Sequence, residues 1–79
     1  MFHYNICTVA DDDIFKKQCN ALETHIPNIK KGDFLEDVDG SVTQIYNFGD
    51  NKISVHKSNY IDAVYVDSEI ELKQYFQKW

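Results

Sequence analysis

Arginine is missing from this chain: all eight of its basic residues are lysine, set against thirteen acids for a formal charge of −5. Arginine is the side chain whose rigid fork grips phosphate and reads guanine edges. A nucleic acid would approach a net-negative surface with no guanidinium to hold it, so the balance argues against nucleic acid and favours a cationic partner. Proline occurs once and glycine three times, which leaves no linker or low-complexity tract. Two cysteines, Cys7 and Cys19, are too few and too far apart for a disulfide scaffold or a CxxC site. Free thiols are the simpler reading; a Cys7–Cys19 bridge stays open if strand and helix pack together. No apolar run approaches bilayer-spanning length. The start, Met1-Phe2-His3-Tyr4-Asn5-Ile6, lacks the basic residues and long apolar stretch of a secretory leader. The expected location is the cytoplasm, with no membrane partner.

What is present is enough apolar material for one small fold. Of the 79 residues, 43% are apolar and 14% aromatic, richer than a disordered chain and near the size at which a core just suffices. The sequence predicts a single acidic domain over residues 1–79.

Phe2 to Val9 is rich in aromatic and β-branched residues and predicts a strand. Apolar groups on both of its faces suggest an inner strand. Asp11-Asp12-Asp13 opens a helix, one of the first two capping it and the rest favouring the positive end of its dipole. Phe15, Cys19, Leu22 and Ile26 recur at helical spacing as a buried stripe, and Pro27-Asn28 ends it. Lys30-Lys31-Gly32 reads as a loop, and Asp33 to Val38 as either a strand or an acidic loop, with Asp39-Gly40 as a hairpin turn. Ser41–Phe48, Lys52–Lys57 and Tyr60–Val66 read as strands separated by turns. Ser68-Glu69-Ile70-Glu71 matches a capping box and predicts a closing helix whose Leu72, Tyr75, Phe76 and Trp79 pack on the sheet. The expected fold is α+β: a small antiparallel or mixed sheet of four to five strands with two helices packed on one face, in the order β-α-(β)-β-β-β-α.

No catalytic constellation emerges. Asp37, Asp39 and Gly40 brush against a calcium loop, but the first and twelfth positions then fall on Leu35 and Tyr46, where the loop needs carboxylates. His3, His25 and His56 are scattered, without a paired-His spacing. Neither cysteine sits in a recognisable nucleophile turn. Gly32, Gly40 and Gly49 each fit a turn rather than a phosphate loop. No cofactor, metal or catalytic residue is assigned. The helix–strands–helix order from Asp12 to Trp79 resembles the layout of a double-stranded RNA-binding domain. Such domains bridge phosphates with lysines at the start of the last helix, where this chain has Ser68-Glu69-Ile70-Glu71, so the resemblance implies layout and not RNA binding.

The segment Asp33-Phe34-Leu35-Glu36-Asp37-Val38-Asp39 packs four carboxylates into seven residues. One reading is a solvated hairpin whose acids keep an edge strand from aggregating. The other is a docking surface made of Asp33, Phe34, Glu36, Asp37 and Asp39, joined by Asp50. Its carboxylates steer a basic protein while Phe34 or Leu35 supplies an apolar anchor. The function this favours is a non-enzymatic inhibitor of the immunity-protein, antitoxin or phage anti-defence kind, acting on a basic partner such as a nuclease. A rival is an adaptor or structural subunit, a homodimer through the open sheet face or an unpaired strand edge. Its interface aromatics would be Tyr60, Tyr65 and whichever of Tyr4 and Tyr46 faces outward. A third is a small thiol- or histidine-dependent enzyme or ligand binder using Cys7 or a histidine.

Overall fold

In the computed structural model, residues 1–73 are described. Strand β1 (Phe2–Cys7) leads into helix α1 (Asp12–His25), followed by β2 (Lys30–Glu36), β3 (Val42–Phe48), β4 (Asn51–Ser58) and β5 (Ala63–Ser68). The strands form one sheet in the order β1-β5-β4-β3-β2, antiparallel at every pairing.

Helix α1 starts where its cap dictates. Asp11 is extended, and its Oδ1 accepts hydrogen bonds from the N–H groups of Asp13 (2.8 Å) and Ile14 (3.1 Å). Asp12 and Asp13 sit in the first turn and His25 in the last, both favourable to the helix dipole. The helix stops before Pro27, and Asn28 turns the chain with φ 64°. Because the cap satisfies two otherwise unpaired N–H groups, Asp11→Ala is expected to lose about 1 kcal/mol, whereas Asp11→Asn keeps nearly all of it. Urea unfolding midpoints of the two variants measure the difference.

Alternation sorts the sheet into two faces. Beneath α1 lie Val42, Gln44 and Tyr46 of β3, Ile53, Val55 and Lys57 of β4, and Val64, Val66 and Ser68 of β5, all buried. Phe15, Cys19 and Leu22 of α1 and Ile26, its extended C-cap, close on them, with Leu72 completing the core. Tyr46 is fully buried, and its hydroxyl donates to Glu23 Oε2 at 2.6 Å. Burial and that bond hold the phenol far above its usual range. The opposite face carries polar and half-buried groups: His3, Asn5, Thr43, Ser54, His56, Tyr65 and Asp67.

The sequence expectations are corrected at five places, one of them the strand expected from Tyr60: Tyr60, Ile61 and Asp62 lie in the turn before β5, which begins at Ala63. The expected pair of helices on the sheet is replaced, among the described residues, by one helix over a five-stranded, wholly antiparallel sheet. The capping box at Ser68 does not form. Ser68 ends β5 with no exposed surface, and its hydroxyl accepts from Ile70 N–H and donates to Ile70 C=O rather than serving Glu71. Tyr75, Phe76 and Trp79, expected on the closing helix, lie outside the described residues. Strand β1 is an edge strand, not an inner one. Its two-sided apolar pattern comes from a register shift between Asn5 and Cys7, which lets Ile6 and Cys7 both reach the core. Finally, Lys30-Lys31-Gly32 belongs to β2 instead of a loop. A second shift between Lys31 and Phe34 absorbs Gly32 and Asp33. The Gln44 amide nitrogen donates to the carbonyls of both (3.0 and 3.2 Å). A Cβ on Gly32 would come within 3.0 Å of the Ile45 carbonyl oxygen, so this bulge favours glycine.

Candidate functional site

An antiparallel sheet returns the chain to the same end every second connection. Connections 8–11, 37–41 and 59–62 therefore gather at one end, and 26–29 and 49–50 at the other. Hydrogen bonds tie the first three together. Asn59 donates from its side chain to the Asp39 carbonyl and from its backbone to Ser41 Oγ, both at 2.8 Å. Asp62 Oδ1 accepts from Ala10 N–H at 2.7 Å. Gly40 turns with φ 86°, and a Cβ there would stand 2.8 Å from the Asn59 side chain, so the tie needs glycine.

This loop end is acidic. Asp11, Asp12, Asp13, Asp37, Asp39 and Asp62 all lie on it or on the first turn of α1. Asp12 is paired with Lys57 at 2.5 Å, and that bond holds its carboxyl below the usual range. Among the described residues, no lysine lies within ion-pair distance of Asp11, Asp13, Asp37, Asp39 or Asp62. Several of these carboxylates serve the local backbone instead. Asp37 accepts from Val38 N–H, and Asp39 from Ser41 N–H at 2.9 Å, which holds Asp39 below its ordinary pKa. Such bonds stabilise the turns and keep the charge.

The same three connections carry exposed apolar side chains: Val9, Val38, Tyr60 and Ile61, with Val38 and Tyr60 at 104% and 91% exposure. A cleft of about 210 Å³ opens beside them, lined by Asp37, Asp39, Thr43, His56, Tyr60 and Tyr65 among others. The structure thus splits the residues singled out in the sequence. Asp37 and Asp39 join the loop end. Asp33, Phe34 and Glu36 run along the outer strand β2, exposed. Asp50 lies in the β3–β4 turn, at the far end of β3 and so about 20 Å away along the strand. Sequence reasoning missed Asp62, Val9, Val38 and Ile61. The signal was available: once the strands are antiparallel, counting connections assigns all three loops to one end.

The open face holds a second constellation. Asp67 joins two imidazoles from the strands that flank β5, with His3 Nδ1 at 2.6 Å and His56 Nε2 at 3.5 Å. His56 stacks on Tyr65 with ring centroids 4.7 Å apart, and His3 packs on the same ring at 5.2 Å. Thr43 Oγ1 lies 2.9 Å from His56 Nδ1. Hydroxyl, imidazole and carboxylate follow one another as nucleophile, base and orienting group do. Yet β3 is paired on both sides, so the N–H groups beside Thr43 are committed to ladders and form no oxyanion site. The arrangement is a titrating network. Bonding to Asp67 raises the pKa of His3; burial lowers that of His56. The folded chain therefore resists protonating His56, whereas the unfolded chain protonates it at its ordinary 6.5. His56 thus destabilises the fold as pH falls below 6.5. His3 acts oppositely, and its contribution is lost as pH rises through its elevated pKa. Replacing His56 with Gln is expected to flatten the acid limb of a stability–pH curve recorded by urea unfolding.

Both thiols are free, Cys19 buried and raised in pKa by that burial, which disfavours its nucleophilic form. Among the described residues no group of three or more His, Cys, Asp or Glu could hold a metal ion, and no helix is long and apolar enough to cross a membrane. Of the aromatics weighed as interface residues, Tyr46 is buried in the core, and Tyr4 accepts a hydrogen bond from Leu72 N–H. Tyr65 is in the open-face stack, and Tyr60 alone of the four projects from the loop end. No protein-family model, curated protein or solved structure matches the chain.

Proposed function

We propose that the chain is a non-enzymatic binding protein whose loop end docks on a basic protein and blocks it, as immunity proteins, antitoxins and phage anti-defence inhibitors do, in the cytoplasm. One observation carries this reading: exposed Val38, Tyr60, Ile61 and Val9 are set among Asp11, Asp13, Asp37, Asp39 and Asp62, none of them within ion-pair distance of a lysine among the described residues. Apolar side chains rimmed by charge of one sign have the composition of a docking patch. The carboxylates steer and orient a cationic partner, and the apolar groups supply the contacts that hold it. A nuclease groove built to hold phosphate offers the complementary charge. Affinity capture from cells that express the chain tests the proposal. A basic protein is expected to be retained at low salt, released at high salt, and inhibited by added chain. If capture returns only acidic proteins, or the captured protein works undiminished when bound, the proposal fails.

A further inference from the structure

A second surface, which shares only Asp37 with the loop end, carries a further inference. Among the described residues, the outer edge of β2 has no strand beside it. Between β2 and α1 runs a cleft of about 570 Å³ whose apolar lining includes Phe15, Cys19, Phe34 and Val42. Phe34 projects there at 55% exposure, its ring 6.4 Å from that of Phe15. An unpaired edge with an apolar side chain at its centre invites strand addition. Charge restricts what can add: Lys30 and Lys31 occupy one end of β2, and Glu36 followed by Asp37 the other. An antiparallel partner must present acids to the first end and bases to the second.

This same segment, reversed, does so, and the bulge brings it into register. Along β3, Lys31 faces Tyr46, Phe34 faces Gln44 and Glu36 faces Val42. Gly32 and Asp33 together therefore fill one ladder position, which puts Lys31 and Glu36 equally far from Phe34 on either side and on the same face. We propose that two copies of the chain pair antiparallel along β2 about a two-fold axis at Phe34, joining their sheets into one. Phe34 then meets Phe34 of the second copy over the two apolar clefts. Glu36 faces Lys31 of the second copy, and Asp37 faces Lys30 of it, each contact occurring twice by symmetry. Opposite charges directly across a ladder stabilise it and like charges oppose it, so the lysines and acids that repel other strands select this one.

Sedimentation at increasing concentration tests the pairing through two charge reversals at exposed positions. The native chain is expected to move from its 9.3 kDa mass to twice that. Lys31→Glu alone sets acid against acid at both contacts, and Glu36→Lys alone sets lysine against lysine, so each is expected to stay monomeric. Mixed in equal amounts they regain both opposite-charge contacts and are expected to form a one-to-one heterodimer. Far-UV circular dichroism identical to the native chain establishes that each variant is folded; Phe34→Asp, also expected to be monomeric, gives a second route should either reversal fail to fold. A native chain that stays monomeric at millimolar concentration overturns the proposal. So does a dimer that survives Lys31→Glu, Glu36→Lys or Phe34→Asp, or a folded mixture that does not associate. None of these outcomes bears on capture by the loop end.

Discussion

Leu22→Ala is expected to lower the stability of the fold by about 2–5 kcal/mol, most or all of what a domain this small commonly holds. Leu22 is fully buried, between Cys19 on its own helix and Ile26 at the helix C-cap and above the strand side chains of the sheet. Truncation removes its contacts and leaves a cavity that the sheet cannot collapse to fill, because the ladders on both sides of β4 fix the backbone beneath it. Tyr46→Phe is the informative control. It keeps the ring in the core and removes only the hydroxyl bonded to Glu23. Glu23 is exposed and regains water, so about 1 kcal/mol is expected. Urea unfolding of the two variants should therefore separate widely. Similar losses would mean that α1 does not sit on the sheet as described.

The second large effect concerns association. Changing Asp13, Asp37, Asp39 and Asp62 together to Asn is expected to slow binding of a basic partner by about 10–1000-fold at low ionic strength. The change isolates charge from folding. Asp37, Asp39 and Asp62 each use a carboxylate oxygen as an acceptor for a backbone N–H, and the Asn carbonyl oxygen accepts the same bond. The thermal midpoint should move little while the salt dependence of the association rate flattens. Val38, Tyr60 and Ile61 changed to Ala should leave the association rate nearly unaltered and speed dissociation, because desolvated apolar contacts act after encounter. Surface plasmon resonance across a salt series reads both rates. Equal effects of the two sets on association would remove the distinction between steering and anchoring.

The legible parts of the fold are those where local chemistry and tertiary demand agree. The Asp11 cap, the stripe of Phe15, Cys19, Leu22 and Ile26, and the stop at Pro27 are all local, and α1 runs from Asp12 to His25 accordingly. Strands β3 and β4 alternate cleanly because one face of each is buried and the other is not. Ser68 misled for a physical reason. The residue types of a capping box are also those of a strand end, and the pairing of Ser68 with Ile53 on one side and Phe2 on the other holds it in the sheet. Lys30-Lys31-Gly32 misled because an edge strand tolerates lysine and its bulge needs glycine, so the segment has the composition of a loop.

The candidate surface was half legible. Asp37 and Asp39 stood out as part of an acidic run, but a run is a fact about sequence distance. In space, β2 carries Asp33 and Glu36 along the sheet edge, and Asp62, remote in sequence, joins the loop end through its bond to Ala10. Asp50 lies apart from Asp37 and Asp39 because neighbouring turns of a meander lie at opposite ends. The open-face network was not legible at all: His3, His56 and Asp67 meet only through the β1–β5–β4 register.

Amide hydrogen exchange on the complex with a captured basic protein tests the central claim most directly. Protection confined to residues 8–13, 37–41 and 59–62, with the β3–β4 turn exchanging as in the free chain, is the predicted footprint. Protection concentrated at the Asp50 turn or over the His3–Asp67–His56 face, with those three loops unchanged, would contradict it.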